Sequence, residues 1–252
     1  MSASTWLCRF NPRPDARLRL VCFPHAGAAA STYFRWARAL PAAVELVAVQ
    51  YPGRAERLRE PMPESMSDLV AGIRDALLPS VGEPYALFGH SMGAAVAYET
   101  ALALRAAGCP EPVRLIVSGR APQGPGITLQ PDLNDEQSIL AALELFGGTV
   151  SSLLQDPEAR AAFLPVFAAD WRMLADYHPS PAMPPLTCPV SAMTGTHDPI
   201  TDVTAVSGWS AATTGPFDLS VFPGDHFYLA SQLPEVLALL SRLLSPGSSL
   251  RR

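Results

Sequence analysis

The sequence predicts one α/β domain, in which a mostly parallel β-sheet is covered by helices on both faces. Its 252 residues are enough for one domain with a full core. Hydrophobic residues make up 48% of the chain and charged residues 16%, which is typical of a packed globular protein. Short apolar runs alternate with stretches of helical period, and this alternation is typical of parallel βαβ units.

Six short apolar runs are predicted as strands, each buried on both faces of the sheet. They cover residues 18–23, 46–51, 85–88, 113–118, 189–194 and 218–222. Helices with an apolar face are predicted between and after them. These helices cover residues 31–40, 65–78, 92–107, 203–213 and 233–244.

One segment interrupts the alternation of strands and helices. Residues 121–185 carry no convincing strand pattern, but residues 134–146 and 157–177 have a helical period, and residues 123–131 resemble a loop. We therefore expect a core of residues 1–120 and 186–252. A helical lid subdomain of residues 121–185 is expected to be inserted into that core.

Composition and charge argue against several classes of protein. The net charge is −5 and no strongly basic stretch occurs, so we expect no nucleic-acid partner. No apolar run reaches the ~18 residues of a membrane span, and no signal-peptide pattern opens the chain, which predicts a cytoplasmic protein without a membrane partner. The four cysteines match no zinc spacing, and no G-x-G-x-x-G follows the first strand, so we expect neither a metal nor a cofactor.

The most informative motif is Gly-His-Ser-Met-Gly at residues 89–93. It fits the nucleophile-elbow pattern G-x-S-x-G, with an apolar strand before it and an alanine-rich helix after it. Small residues on both sides allow the tight turn that exposes the serine at the carboxyl end of the strand. The motif predicts Ser91 as the nucleophile of an α/β-hydrolase fold.

A serine hydroxyl needs a base, and the chain offers five histidines. In this fold the nucleophile precedes the acid, which precedes the histidine. His25 and His90 come before Ser91, and His178 lies in the predicted insertion. His226 follows the last predicted strand, so its loop is able to return to the carboxyl end of the sheet. We predict His226 as the base.

The acid is expected between nucleophile and base, at the end of a strand. Asp198 follows the fifth predicted strand and is placed to accept the Nδ1 hydrogen of His226. Asp202 lies farther past the strand end. Asp225 adjoins the base in sequence, where a side chain rarely turns back onto its neighbour's ring. We therefore predict Asp198, and we interpret His197 beside it as a loop residue.

The oxyanion of an acyl-transfer reaction needs two backbone donors in this fold. One is the amide that follows the nucleophile, which is that of Met92. The other comes from the loop after an early strand, where residues 23–28 (Phe-Pro-His-Ala-Gly-Ala) follow the first predicted strand. The small residues of this loop let the backbone approach a substrate, and we predict Ala26 as the second donor.

These motifs together resemble the type II thioesterases that accompany bacterial polyketide and nonribosomal peptide synthases. The resemblance runs nearly end to end. It is carried by residues 6–10, 20–27, 49–54 (Val-Gln-Tyr-Pro-Gly-Arg), 89–93, 195–199 (Gly-Thr-His-Asp-Pro) and 224–227. It implies that the protein hydrolyses acyl groups from the phosphopantetheine arm of acyl or peptidyl carrier proteins and so removes aberrant or stalled units.

The resemblance implies the same site residues as the spacing does. Ser91, Asp198 and His226 would form the triad, and the amides of Ala26 and Met92 the oxyanion hole. The arm belongs to the partner carrier protein, so this function implies no cofactor of the enzyme's own.

Three arginines fall in one predicted loop, at positions 54, 57 and 59. Such a cluster is able to attract an acidic carrier protein and the phosphate of its arm. Glu56 and Glu60 are interleaved with the arginines, however. The pattern therefore favours a solvated loop over a docking site.

Two other functions remain open from the residues alone. A general carboxylesterase or lipase would use the same triad, although the predicted insertion is more charged than a lipase lid. Its charged residues include Asp156, Glu158, Arg160, Asp170 and Arg172. A carrier-binding module without turnover would need no triad, and the intact set of Ser91, Asp198 and His226 argues against it.

Overall fold

The sheet has seven strands in the order β1-β3-β2-β4-β5-β6-β7. The structure is a computed structural model, and it describes residues 5–122, 131–146, 155–179 and 184–245. All neighbouring strands run parallel except β1, which pairs antiparallel with β3. The strands are β1 (Leu7–Cys8), β2 (Leu18–Phe23), β3 (Val44–Val49), β4 (Tyr85–His90), β5 (Arg114–Ser118), β6 (Val190–Gly195) and β7 (Phe217–Phe222).

Helices connect the parallel strands and also lie between β5 and β6. They are α1 (Phe34–Ala39), α2 (Met66–Leu77), α3 (Met92–Ala106), α4 (Glu136–Leu145), α5 (Pro157–Ala175), α6 (Val203–Ser207), α7 (Tyr228–Ser231) and α8 (Leu233–Leu243). Short 3₁₀ turns cover Ala30–Tyr33, Ala55–Arg57, Leu78–Ser80 and Gly208–Ala212.

The predicted fold class is confirmed, and the differences are local. Strand β3 begins and ends two residues before the predicted 46–51. Strand β1 was not predicted, because two residues are too short to show an alternating pattern. The helix predicted at 203–213 ends at Ser207 and continues as a 3₁₀ turn.

Side chains of the central strands alternate between two apolar layers, as the period of two in a strand requires. In β2, Val21 and Phe23 pack into the layer that contains α2 and α3. Leu20 and Cys22 pack into the opposite layer, against α1 and α8. Burying one such side chain contributes about 1.5–3 kcal/mol, so the two layers hold the helices against the sheet.

Helices α4 and α5 form the described part of the insertion. Asp156 caps α5 by accepting hydrogen bonds from the Glu158 and Ala159 amides, and Pro157 occupies the first helical position. Their apolar faces share a third cluster with Ile200, which belongs to the core. The loop predicted at 123–131 lies outside the described residues except for its last position. The division into core and lid stays a prediction.

Candidate active site

Ser91 occupies the sharp turn between β4 and α3. Its backbone lies in a strained region, at φ 55° and ψ −119°. A Cβ atom at Gly89 would come within 1.9 Å of the Gly93 carbonyl oxygen, and one at Gly93 within 2.0 Å of the Phe23 carbonyl oxygen. Glycine at both positions is therefore a steric necessity. The Ser91 amide donates to the Ser118 carbonyl at 2.8 Å, which helps to hold the strained turn in place.

Asp198 and His226 are in direct contact. His226 Nδ1 lies 2.8 Å from Asp198 Oδ2, and the two side chains are 3% and 0% exposed. The other carboxylate oxygen, Oδ1, accepts hydrogen bonds from the amides of Ile200 and Thr201. These bonds fix the orientation of the carboxylate. A carboxylate at Nδ1 keeps the hydrogen on that nitrogen and leaves Nε2 as the proton acceptor.

The loops that carry the acid and the base are packed backbone against backbone. Strands β6 and β7 end side by side, with Gly195 opposite Phe222. A Cβ atom at Gly195 would come within 2.4 Å of the Asp225 carbonyl oxygen. The His197 amide also donates to the Gly224 carbonyl at 2.9 Å. This close approach brings Asp198 and His226 together.

The alternative acids are engaged elsewhere. Asp202 caps α6 by accepting the Ala205 amide at 2.7 Å. Asp225 accepts the amide of Phe227 at 2.8 Å. The structure thus pairs His226 with Asp198 and leaves Asp202 and Asp225 in local turns.

The segment around Ala26 offers an unused amide. Within the described part of the chain, the Ala26 amide donates to no protein acceptor, whereas its neighbours do. The Gly27 amide donates to Asp170 Oδ2 at 2.8 Å, and the Ala28 amide to the His25 carbonyl at 3.0 Å. Residues 25–28 are called the oxyanion loop below. Met92 is the first residue of α3, where an amide has no acceptor within the helix.

The prediction of a solvated arginine loop is wrong for two of its three arginines. Arg54 is 4% exposed and Arg57 is 5% exposed, and only Arg59 faces solvent. Arg57 pairs with Glu60 and lies 3.8 Å over the Trp6 ring. These two side chains are therefore structural and are not available to a docking partner.

Arg54 forms a buried ion pair with Asp170 of α5. The contact is bidentate, with Nη1–Oδ2 and Nη2–Oδ1 distances of 2.6 and 2.7 Å, and Asp170 is 2% exposed. Arg54 Nη1 also donates to the Ala28 carbonyl at 3.2 Å. Because Asp170 accepts the Gly27 amide as well, the pair ties the oxyanion loop to the insertion. Sequence reasoning missed this role and counted Asp170 among the charges of the insertion.

A cavity of about 520 Å³ contains Ser91 and His226 in its wall. On the side of the insertion its lining is aromatic and aliphatic. Those residues are Leu143, Phe146, Phe163, Phe167, Trp171 and Leu174. The Phe146 ring lies 5.6 Å from the Trp171 ring and 5.9 Å from the His226 ring. The site is therefore a largely apolar chamber whose wall includes the His226 ring.

Two further histidines lie beside the base. The ring of His90 is 4.8 Å from that of His226, and its Nδ1 is 2.9 Å from Ser118 Oγ. Burial, together with neighbouring His226 and His25, lowers the pKa of His90 well below its usual value. Burial, then His226 and Arg54, lowers the pKa of His25 to about 4. Both rings are neutral at pH 7, and their position before Ser91 in the chain argues against a role as the base.

The site combines a serine at a nucleophile elbow, an imidazole held on a carboxylate and an apolar chamber whose wall contains both. This combination defines a serine hydrolase of the α/β-hydrolase fold. The family model of the thioesterase domain matches residues 18–244. The chain belongs to the thioesterase family, and the protein is a serine hydrolase that acts on thioesters. Among the described residues, no cluster fit to hold a metal ion occurs, and no helix is both long and apolar enough to cross a membrane.

The chain is similar to thioesterases of biosynthetic pathways over nearly its whole length. It is 40% identical to thioesterase PikA5 of Streptomyces venezuelae over 242 residues, which cover 94% of this chain and 84% of that protein. It superposes on RedJ, a thioesterase of the prodiginine pathway in Streptomyces coelicolor, with a TM-score of 0.84, at 37% identity and 92% and 88% coverage. For BorB, the type II thioesterase of the borrelidin cluster, the TM-score is 0.85, at 32% identity and 97% and 100% coverage. The predicted family is confirmed.

Proposed function

We propose that this protein hydrolyses acyl groups from the phosphopantetheine arm of acyl or peptidyl carrier proteins and thereby clears aberrant or stalled units from a polyketide or nonribosomal peptide synthase. One observation carries the proposal. Ser91, the unused amide of Ala26 and His226, which is held by Asp198, belong to the wall of one largely apolar chamber. Membership of the thioesterase family supports the chemistry, and the relatives named above support the pathway. The proposed place of action is the cytoplasm.

The first half of the proposed reaction forms an acyl-enzyme. His226 Nε2 takes the proton of Ser91 Oγ as that oxygen attacks the thioester carbonyl carbon. The negative charge that develops on the carbonyl oxygen is stabilised by the amides of Ala26 and Met92. The C–S bond then breaks, the pantetheine sulfur takes the proton from His226, and the acyl group stays on Ser91.

The second half releases the acid. Water gives a proton to His226 Nε2 and attacks the acyl carbonyl, and the same two amides stabilise the oxyanion. The C–O bond to Ser91 breaks, Oγ recovers the proton from His226, and a free carboxylic acid leaves. Asp198 holds the imidazole in one orientation and stabilises its protonated form in both halves. This reaction requires no bound cofactor.

The insertion of residues 121–185 is proposed to act as a lid over the acyl group. The aromatic lining contributed by α4 and α5 supports this role, because it gives the acyl chain a water-poor surface. A chamber of about 520 Å³ also limits the size of that chain.

Hydrolysis of acetyl and propionyl groups from a carrier protein, compared with the same groups on a simple alcohol ester, tests the proposal. The expected result is that kcat/KM is higher for the carrier substrates, because the arm adds contacts outside the reacting bond. Fast ester cleavage with an untouched acyl-carrier would instead favour a general esterase. Turnover of neither substrate would favour a binding module.

A further inference from the structure

The cavity that contains Ser91 has two chemically different ends. One end is the apolar lining from the insertion. Toward solvent the lining includes Ser31, Thr32 and Arg35, which lie on the 3₁₀ turn after the oxyanion loop and on α1, together with the apolar Leu229, Ala230 and Leu233. Ser31, Thr32 and Arg35 are exposed to solvent, so their polar groups lie where the cavity opens, and this edge is called the polar mouth below.

A thioester on a carrier protein also differs in polarity between the two sides of its reacting carbonyl. The acyl group is apolar in the simplest substrates, whereas the arm is polar and ends in a phosphate at the carrier surface. An apolar acyl group is better solvated by the aromatic lining of the insertion. The arm then leaves the reacting carbonyl toward the polar mouth.

Arg35 differs from the arginines that the sequence analysis singled out. Arg54 and Arg57 are buried and paired, as described above. Within the described part of the chain, Arg35 has no carboxylate partner within 4.0 Å, although it lines the same cavity as Ser91. Its charge is therefore available at the mouth.

We propose that Arg35, with the hydroxyls of Ser31 and Thr32, binds the phosphate of the phosphopantetheine arm at the mouth of the cavity. The inference rests on the proposed function and assigns the direction in which its substrate lies. A guanidinium donates two parallel hydrogen bonds to phosphate oxygens, and nearby hydroxyls donate more. The whole protein has a net charge of −5, so an anionic arm needs such a local site.

Paired substrates test this assignment. Hydrolysis of propionyl-pantetheine, which lacks the phosphate, is compared with that of propionyl-phosphopantetheine and of propionyl-CoA, in wild type and Arg35→Ala. Arg38→Ala is the matched control, because Arg38 lies on the same exposed helix but stacks on Phe34 and is not part of the cavity wall.

The wild-type protein is expected to prefer phosphorylated pantetheine about fivefold in kcat/KM, the upper end for an exposed ion pair. The preference is expected to lie in KM and to weaken with added salt, because salt screens exposed charges. Arg35→Ala should abolish it without changing the hydrolysis of propionyl-pantetheine. The Arg38→Ala control should keep the wild-type preference for phosphorylated pantetheine.

Two results would overturn the inference while leaving the proposed function intact. One is a wild-type protein that cleaves all three thioesters with no preference for phosphate. The other is an Arg35→Ala variant that keeps the preference or loses activity equally on every substrate. A wild-type protein that cleaves simple esters but none of these thioesters would contradict the proposed function, and the inference with it.

Discussion

At the residue scale, His226, the proposed base, lies among buried groups that stay neutral at pH 7. His90 packs on the His226 ring from inside the protein, and Ser118 Oγ lies between His90 Nδ1 and the Tyr228 hydroxyl. Burial raises the pKa of Tyr228 well above its usual value, so this hydroxyl stays neutral. These neutral groups place no second positive charge beside the imidazolium that His226 forms in the proposed reaction.

The lowered pKa of His90 predicts a loss of stability in acid. The unfolded chain takes up a proton on this histidine below about pH 6.5, while the folded protein does not. The free energy of unfolding should therefore fall as pH drops below that value, by about 1.4 kcal/mol per pH unit for a histidine that stays neutral. Above about pH 6.5 this contribution is complete and constant.

Urea unfolding between pH 6.5 and pH 5 measures the effect. His90→Asn, which does not titrate, should reduce the average slope of unfolding free energy against pH over this range by roughly 1 kcal/mol per pH unit, since the unfolded histidine is only half protonated at pH 6.5. The variant's absolute free energy of unfolding is allowed to differ from that of the wild type, because only the slope of this free energy against pH is compared. An equal slope in the two proteins would show that His90 becomes protonated in the folded state.

At the scale of elements, the insertion is joined to the oxyanion loop by the Arg54–Asp170 pair. Asp170 belongs to α5, Arg54 follows β3, and Gly27 lies in the loop after β2. Gly27 has a positive φ of 77°, and Phe163 of α5 lies directly over it. The orientation of the Ala26 amide therefore depends on the position of α5 relative to the oxyanion loop.

Asp170→Asn should lower kcat about tenfold and leave KM nearly unchanged, because it loosens a donor that acts on the oxyanion. It should also lower the free energy of unfolding by about 3 kcal/mol, since Arg54 keeps a buried charge without a partner. Steady-state kinetics and urea unfolding measure the two effects. Asp176→Asn, at the exposed end of the same helix, is the control.

A second variant separates positioning from stability. Asp170→Asn combined with Arg54→Met removes the unpaired charge and should recover part of the lost stability. It should not recover kcat, because the carboxylate that accepts the Gly27 amide is still missing and the Arg54 hydrogen bond to the Ala28 carbonyl is now lost as well. Recovery of both together would mean that Asp170 affects catalysis only through stability.

The sequence predicts elements and local motifs better than it predicts contacts across the fold. Apolar periodicity located β2 with its observed bounds, and the elbow motif located Ser91. The sequence pattern does not predict the buried ion pair of Arg54, because its partner Asp170 lies 116 residues away on another element. The nearby Glu56 and Glu60 favour an exposed position for Arg54, because a local charge pattern reports only on neighbours in sequence.

At the scale of the whole molecule, the parallel sheet explains why distant residues meet. Ser91, Asp198 and His226 follow β4, β6 and β7, and the carboxyl ends of these strands lie at one edge. Ligands of open α/β sheets bind at that edge. Chain order and strand ends predict the three residues as a triad, and the structure brings Asp198 into contact with His226 and places Ser91 in the same cavity wall as His226. The aromatic wall and the polar mouth depend on how helices pack, which the sequence pattern does not specify.

The central claim is that Ser91 is the nucleophile for an acyl group delivered by a carrier protein. Turnover of propionyl-carrier by wild type and by Ser91→Ala, with folding checked by urea unfolding, tests it most directly. Loss of the serine in related triads lowers turnover on the order of 10⁶-fold, and we expect release of propionate to fall to the uncatalysed rate. A correctly folded Ser91→Ala protein that still releases propionate at a substantial fraction of the wild-type rate would contradict the account.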